Sequence, residues 1–342
     1  MTDFGRMTRA AALLGSTYPI IQGGMTLVGT AGLAAAVSAA GGFGLVSAGR
    51  MSPEEFGREI EAAFALTIRP IGVNIPVTRD LDWMAGAVSA ASRRAVRAIV
   101  LGGGNPAPWA EEILGAGKRL IAVVSGPRQA ERAQKFGADA VVAEGNEAGG
   151  KNGFEEIGGL DLVPMVARAV DIPVFAAGGI VDGRTAAAAI CLGAGGIQMG
   201  TRFLVSAESP VHPRTKEHLM AGKRETLLIG RRHRLNRRVL RNPASDDIAG
   251  REAGASLDEM LRLVAGERTW HGLRDGDVEQ GMISVGQGIA LIDDAPPVAE
   301  IIVSVMRDLN SALKAAAVEA NGFSPPQSTG RNRVTGLNEG IA

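Results

Sequence analysis

The chain has 342 residues, with 36 basic and 36 acidic side chains, one Cys and an aromatic content of 4%. A chain of this length can bury a large core in one domain with an appendage. A net charge of zero disfavours nucleic acid and anionic membranes as partners, and a single Cys excludes a disulfide framework or a thiolate metal cluster. The first residues lack the apolar stretch of a signal peptide, and no run of about 18 apolar residues could span a membrane. The sequence therefore predicts a soluble cytoplasmic protein without a metal site.

Short apolar runs bounded by Gly recur through the first two-thirds of the chain. They lie at 19–24, 43–49, 70–77, 98–104, 119–125, 140–146, 173–180 and 196–203. These runs are continuously apolar rather than alternating, as is typical of strands buried on both faces. Ala-rich segments of helical length separate them, for example at 31–40, 53–66, 127–136 and 183–192. The alternation predicts an α/β fold, a closed (β/α)₈ TIM barrel over residues 10–205, rather than an open doubly wound sheet.

The alternation of strands and helices ends after Phe203. Residues 206–295 carry more charge and show no strand pattern, which predicts an inserted helical cap that covers the substrate. An amphipathic segment at 296–320 predicts the closing helix of the barrel. Residues 321–342 are rich in Gly, Ser, Pro and Asn, and they predict a disordered tail. Cys191 falls within an Ala-rich helix and is predicted to be a small buried side chain.

Glycines crowd the ends of the predicted strands, where a TIM barrel carries its active site. Gly178 and Gly179 follow the seventh predicted strand, and Gly200 and Thr201 lie towards the end of the eighth. Barrels build phosphate sites from loop amides at these two positions. The glycines therefore predict a phosphate site for a substrate or a cofactor; the alternative is that they simply end the strands.

Seven sequence blocks carry a resemblance to a known family. They are YPIIQGGM, AGGFGLVSAG, IRPIGVNIPV, GADAVVAEGNEAGG, IPVFAAGGIVDGR, GAGGIQMGTRFLVSAESPVHP and DGDVEQGMISVGQGIALIDD. In this order, over roughly residues 10–315, they resemble the FMN-dependent nitronate monooxygenases, formerly called 2-nitropropane dioxygenases. FMN-dependent enoyl-acyl-carrier-protein reductases and NADH:quinone reductases are close relatives of that family. The resemblance implies an FMN-binding barrel and leaves the substrate open.

The resemblance also implies which residues hold the FMN. It places Gly23, Gly24 and Met25 along the edge of the flavin ring, and it places Asn74 beside the isoalloxazine. It assigns Glu144 to the ribityl chain or the floor of the site. The glycine-rich EAGG block adds Gly149 and Gly150 to the cofactor-binding residues. The phosphate is assigned to Gly178, Gly179, Gly200 and Thr201, and the returning C-terminal segment contributes Gln287.

Lys151 departs from the family pattern, in which EAGG is followed by a His that is a candidate general base. None of the four His residues of this chain falls in a strand-end motif. A Lys acts as a base at neutral pH only if burial and positive neighbours lower its pKa substantially. As a cation it can instead hold an anionic substrate, such as a nitronate, an enolate or a carboxylate. Lys151 is therefore the catalytic candidate, and a solvated loop Lys is the alternative.

Three functions remain open from the sequence. The first is an FMN oxidase that uses dioxygen and a small anionic nitronate. The second is an NAD(P)H-dependent FMN reductase of a quinone or an enoyl thioester, with NAD(P)H docking transiently. The third is a flavin-binding barrel without redox activity.

The Arg-rich segment 231–241 has three interpretations. It is a solvated helix whose arginines pair with acidic side chains, an entrance to the site that attracts the phosphates of NAD(P)H or CoA, or a nucleic-acid-binding patch. A homodimer is compatible with the sequence.

Overall fold

Eight parallel strands form one sheet in the computed structural model, which describes residues 3–221, 224–264 and 266–322. The first nine strands of the chain are β1 (Ile20–Gln22), β2 (Leu45–Ser47), β3 (Gly72–Pro76), β4 (Ala98–Gly102), β5 (Arg119–Val124), β6 (Ala140–Glu144), β7 (Gly150–Lys151), β8 (Val174–Ala177) and β9 (Gly196–Met199). All except β7 belong to this sheet, in the order β1-β9-β8-β6-β5-β4-β3-β2. The sheet closes where Ile21 bridges Phe43 in parallel and the N–H of Gln22 donates to the carbonyl of Phe43 at 3.0 Å. The predicted TIM barrel is confirmed.

Helices surround the barrel and cover its outer face. They are α1 (Asp3–Leu14), α2 (Ala31–Ala39), α3 (Pro53–Leu66), α4 (Leu81–Ser92), α5 (Ala107–Gly115), α6 (Pro127–Lys135), α7 (Gly159–Ala169), α8 (Gly183–Cys191) and the short α9 (Thr201–Leu204). Side chains that point outward from the strands pack against the helices, while a second cluster fills the barrel interior. Ala10 and Leu14 of α1 join the interior cluster. This double burial explains why the strands are apolar on both faces.

A long C-terminal helix, α14 (Val298–Gly322), packs against α8 and α2. A Cβ built on Gly183 would lie 2.3 Å from the backbone nitrogen of Leu309, so this close approach requires glycine. The helix spans the segment predicted to close the barrel and continues through the first two residues of the predicted tail. The remainder of that tail lies outside the described residues. Among the described helices, none is long and apolar enough to cross a membrane.

The region between α9 and α14 contains a small sheet. Its elements are α10 (Pro213–Ala221), β10 (Thr226–Ile229), β11 (Arg237–Leu240), α11 (Pro243–Arg251), α12 (Leu257–Leu263) and α13 (Gly266–Trp270). Strand β11 pairs antiparallel with both β10 and β7. The prediction of helices and loops alone is therefore wrong for this region. Strands of two to four residues show no readable period, and β7 comes from a distant part of the chain.

Two local predictions need correction. Cys191 is exposed rather than buried, because it ends α8 on the solvent side while Ala186, Ala187 and Ile190 take the buried positions. The Arg-rich segment 231–241 is not a helix. A 3₁₀ turn at Arg231–His233 is flanked by left-handed residues at either end, and β11 follows. The turn reverses the chain, so that β10 and β11 form a hairpin.

Candidate active site

A cavity opens at the C-terminal ends of the barrel strands. The space between its walls, open solvent included, is about 520 Å³. The lining comes from the ends of β1, β6, β8 and β9 and from the segment 286–288. The lining residues are Gly23, Gly24, Met25, Glu144, Ala148, Gly149, Ala177, Gly178, Gly179, Ile180, Val181, Gln198, Gly200, Thr201, Gly286 and Gly288. The barrel therefore places a glycine-rich cavity where its fold carries active sites.

The cavity brings together most of the residues predicted to bind the cofactor. They are Gly23, Gly24, Met25, Glu144, Gly149, Gly178, Gly179, Gly200 and Thr201. Asn74 lies directly behind this surface, since a Cβ on Gly24 would fall 2.0 Å from its Cγ. Gly150 starts β7 and does not line the cavity. Gln287 does not line it either: its side chain is exposed, and its N–H donates to the carbonyl of Glu147 at 2.9 Å.

The ends of β8 and β9 form a cradle of backbone amides. Gly178 and Gly179 have φ of +91° and +73°, which side chains rarely adopt. The N–H groups of Gly179 and Thr201 have no acceptor within the described residues. The Thr201 hydroxyl oxygen accepts the N–H of Gly286 at 2.9 Å, so its own proton remains available to a ligand. This combination of open amides and a hydroxyl suits a phosphate.

Gln198 is a cavity residue that the sequence analysis missed. It belongs to β9, it is buried, and its side-chain oxygen has no hydrogen-bond partner among the residues that the structure describes. A buried amide oxygen without a donor is costly, so a ligand N–H at this position would stabilise it. The available signal was a polar residue within the apolar strand GIQM. Gly286 and Gly288 were also missed, although they flank the predicted Gln287.

Glu144 ends β6 and is one of the residues that line the cavity. Within the described part of the chain, its side chain makes no hydrogen bond or ion pair. Burial raises the pKa of Glu144 to about 7, because desolvation disfavours the charged carboxylate. Near neutral pH this carboxyl can therefore hold a proton beside whatever occupies the cavity.

Glu144→Gln is expected to change how stability depends on pH. The folded protein binds the Glu144 proton more tightly than the unfolded chain, whose carboxyl titrates near 4.5. Stability from this group is thus fully present below pH 4.5 and is lost as the pH rises to about 7. Gln mimics the neutral acid, so the free energy of unfolding of the variant relative to wild type should rise by about 2–3 kcal/mol over that interval.

Urea unfolding of the flavin-free protein across this pH range measures the effect. Glu111→Gln, which removes an exposed carboxyl, is the control, and its free energy of unfolding should depend on pH as that of wild type does. If the free energies of unfolding of Glu144→Gln and wild type changed with pH in parallel, burial would not perturb the pKa of the Glu144 carboxyl.

Lys151 is not among the residues that line the cavity. It ends β7, two residues after Gly149, and its side chain is accessible to solvent. Burial of the ammonium by its surroundings lowers the pKa of Lys151, and the positive charges of Arg237 and Arg79 lower it further. Arg237 stands directly opposite on β11, and Arg79 follows β3. Lys151, Arg237 and Arg79 therefore bring three positive charges close together.

The nitronate monooxygenase profile matches residues 7–308. The chain belongs to the nitronate monooxygenase family. It is 31% identical to the (3aS,4S,5R,7aS)-5-hydroxy-7a-methyl-1-oxo-octahydro-1H-indene-4-carboxyl-CoA dehydrogenase of Mycobacterium tuberculosis, over 91% of this chain and 98% of that protein. FabK of Thermotoga maritima is 38% identical, with a TM-score of 0.86 over 92% of this chain and 99% of FabK. The nitroalkane oxidase of Streptomyces ansochromogenes is 28% identical, with a TM-score of 0.79 over 89% of this chain and 99% of the oxidase.

This member of the nitronate monooxygenase family is an oxidoreductase, and its relatives use a flavin. The cavity fits such a group. A Cβ on Gly200 would meet only the sulfur of Met25, at 3.8 Å, and otherwise project into free space, so glycine keeps this volume open. Open amides at the ends of β8 and β9 suit a phosphate, and the unpaired oxygen of Gln198 suits a ring or ribityl donor. The residues present therefore match a flavin cofactor.

Proposed function

We propose that the protein is an FMN-dependent enzyme that oxidises a small anionic nitronate with dioxygen. The observation that carries this proposal is Lys151, a cation two residues beyond the cavity-lining Gly149, where the family pattern has a His. A nitronate is already ionised, so it needs a positive partner rather than a base. Similarity to a nitroalkane oxidase over most of the chain supports this class of substrate.

The cofactor is proposed to be FMN because the cavity offers one phosphate cradle at its end. Gly178, Gly179, Gly200 and Thr201 would hold the phosphate through amides and a hydroxyl. Gly23, Gly24 and Met25 would lie along the ring, with Asn74 behind them and Gln198 accepting a hydrogen bond. Glu144 would lie at the floor of the site. When bound, the flavin supplies the electron transfer.

The chain's own residues would position and select the substrate. The Lys151 ammonium attracts the nitronate oxygens and orients the substrate carbon towards the cavity. Lys151 is a poor base while it is charged, so proton removal from a neutral nitroalkane is not supported at this position. A small anionic molecule is thus the proposed partner. A cytoplasmic location, a homodimer and the absence of nucleic-acid and membrane partners stay predictions from the sequence.

Lys151→Ala tests this function. Oxygen uptake with a preformed alkyl nitronate should fall by about 10- to 100-fold in kcat/KM, because one charge-assisted contact is lost. The visible flavin absorbance should be retained, because Lys151 does not line the cavity. Lys135→Ala removes an exposed Lys of α6 and should leave turnover unchanged. Equal nitronate turnover by Lys151→Ala and wild type would remove Lys151 from the site.

A second candidate is an NAD(P)H-dependent reductase of an enoyl thioester or a quinone. It is favoured by similarity over nearly the full length to a carboxyl-CoA dehydrogenase and to FabK. An anaerobic visible spectrum of the purified protein separates the two functions. Rapid loss of the flavin band on adding NADH or NADPH would identify a reductase. A band that persists, together with oxygen uptake on nitronates, would identify the oxidase, and neither response would indicate a barrel without redox activity.

A further inference from the structure

Two cationic side chains face each other across the strand pair β7–β11. Arg237 is the direct register partner of Lys151 in this antiparallel pair. Opposed residues of paired strands project from the same face of the sheet, with their Cβ atoms about 5 Å apart. Like charges in such positions repel each other and destabilise the pair. The sheet therefore holds two positive charges together.

Two neighbouring arginines of the same segment have hydrogen-bond or ion-pair partners. Arg238 points to the opposite face, where its Nε donates to the carbonyl of Asn146 at 2.9 Å and one Nη donates to Thr226 at 3.1 Å. Arg231 forms an ion pair with Glu156 at 2.6 Å. Arg237 differs from both. Its Nε is buried without a hydrogen-bond partner, and neither it nor Lys151 forms an ion pair with any residue that the structure describes.

The surroundings of the pair make these charges costly. Burial lowers the pKa of Arg237, and the pKa of Lys151 is lowered by burial and then by Arg237 and Arg79. A half-buried guanidinium whose Nε is buried without an acceptor loses hydration and gains no partner in return. An anion bound between the two side chains would compensate both charges and supply the missing acceptor to Nε.

The shape of the donors indicates which anion fits. A guanidinium presents parallel N–H groups that match a planar group with two oxygens, whereas an ammonium acts as a point charge. Nitronates and carboxylates share this planar shape. Lys151 follows the cavity-lining Gly149 by two residues, so the bound group would lie close to the cavity along the chain.

We propose that Arg237 is a substrate-binding residue that holds, together with Lys151, the planar two-oxygen anion of the substrate. This inference rests on the proposed nitronate oxidation and adds to it the residue that selects the shape of the anion. Arg237 binds the two oxygens side by side, and Lys151 neutralises the charge.

Titration of the flavin-loaded enzyme with propionate tests the site without turnover, because propionate has the shape of a small nitronate and is not oxidised. Propionate should perturb the visible flavin spectrum of wild type. Arg237→Gln should raise the Kd for propionate about tenfold or more. The Kd of Arg237→Lys should lie between those of wild type and Arg237→Gln, because Lys keeps the charge but loses the paired contact. Arg241→Gln, at an exposed arginine just after β11 with acidic partners, should bind like wild type.

Three results would overturn the inference. The first is an equal propionate Kd for Arg237→Gln and wild type when both retain flavin. The second is an equal Kd for Arg237→Lys and wild type, which would mean that charge alone is recognised. The third is tighter, Arg237-dependent binding of ADP or pyrophosphate, which would assign the pair to a nucleotide phosphate. If wild type turns over no nitronate yet binds propionate through Arg237, the proposed function fails and the anion site stands.

Discussion

Thr201→Val combined with Gly179→Ala is expected to release the flavin. Val keeps the shape of Thr201 but removes the hydroxyl proton that remains after its oxygen accepts the N–H of Gly286. Ala at position 179 is strained at a φ of +73°, and its Cβ meets Glu147 at 3.4 Å, which displaces the backbone amide. Two contacts to a phosphate are lost together, so the Kd for FMN should rise by about two orders of magnitude or more.

The ratio of flavin to protein absorbance after gel filtration, followed by fluorescence titration with FMN, measures this release. Gly32→Ala is the matched glycine control, because a Cβ at that position on α2 meets nothing within 4 Å. It should retain full flavin. Stoichiometric flavin in the double variant would contradict the assignment of the phosphate to the ends of β8 and β9.

Lys151→His is expected to create activity on neutral nitroalkanes. The positive charges of Arg237 and Arg79 that act on Lys151 would keep an imidazole at this position neutral near pH 7, and a neutral imidazole is a general base. A positioned base contributes about 100-fold or more to proton removal. We therefore expect kcat/KM for a neutral nitroalkane to rise by about two orders of magnitude, as measured by oxygen uptake above pH 7.

Lys151→Gln separates the base from the loss of charge. It removes the cation without adding a proton acceptor, so neutral nitroalkanes should remain poor substrates. Equal activity of the His and Gln variants would mean that the missing base does not explain the departure of this chain from the family pattern.

The barrel could be predicted from the sequence because its signals are local. Runs such as 98–104 and 119–125 are buried on both faces, and each falls between segments of helical length. The predicted strand at 196–203 is too long, since β9 ends at Met199 and α9 begins at Thr201. An apolar run of four residues looks the same in a strand and in a short buried helix.

Most of the proposed cofactor site could also be predicted, because its residues follow the strands directly. Gly178, Gly179, Gly200 and Thr201 meet in space only because neighbouring parallel strands end at the same edge, which the barrel topology guarantees. Gln287 illustrates the limit. The backbone turns its side chain outward and leaves Gly286 and Gly288 at the surface of the cavity.

Apolar runs and strand-end glycines were enough for the barrel and the glycine cradle, because each depends on residues close together in the chain, and the resemblance to the family singled out Lys151. The cation pair required the tertiary structure. Arg237 opposes Lys151 only because β11 pairs with β7, and no local pattern encodes a contact between segments so far apart. Burial likewise decided the pKa of Glu144, since desolvation depends on everything that folds around the carboxyl.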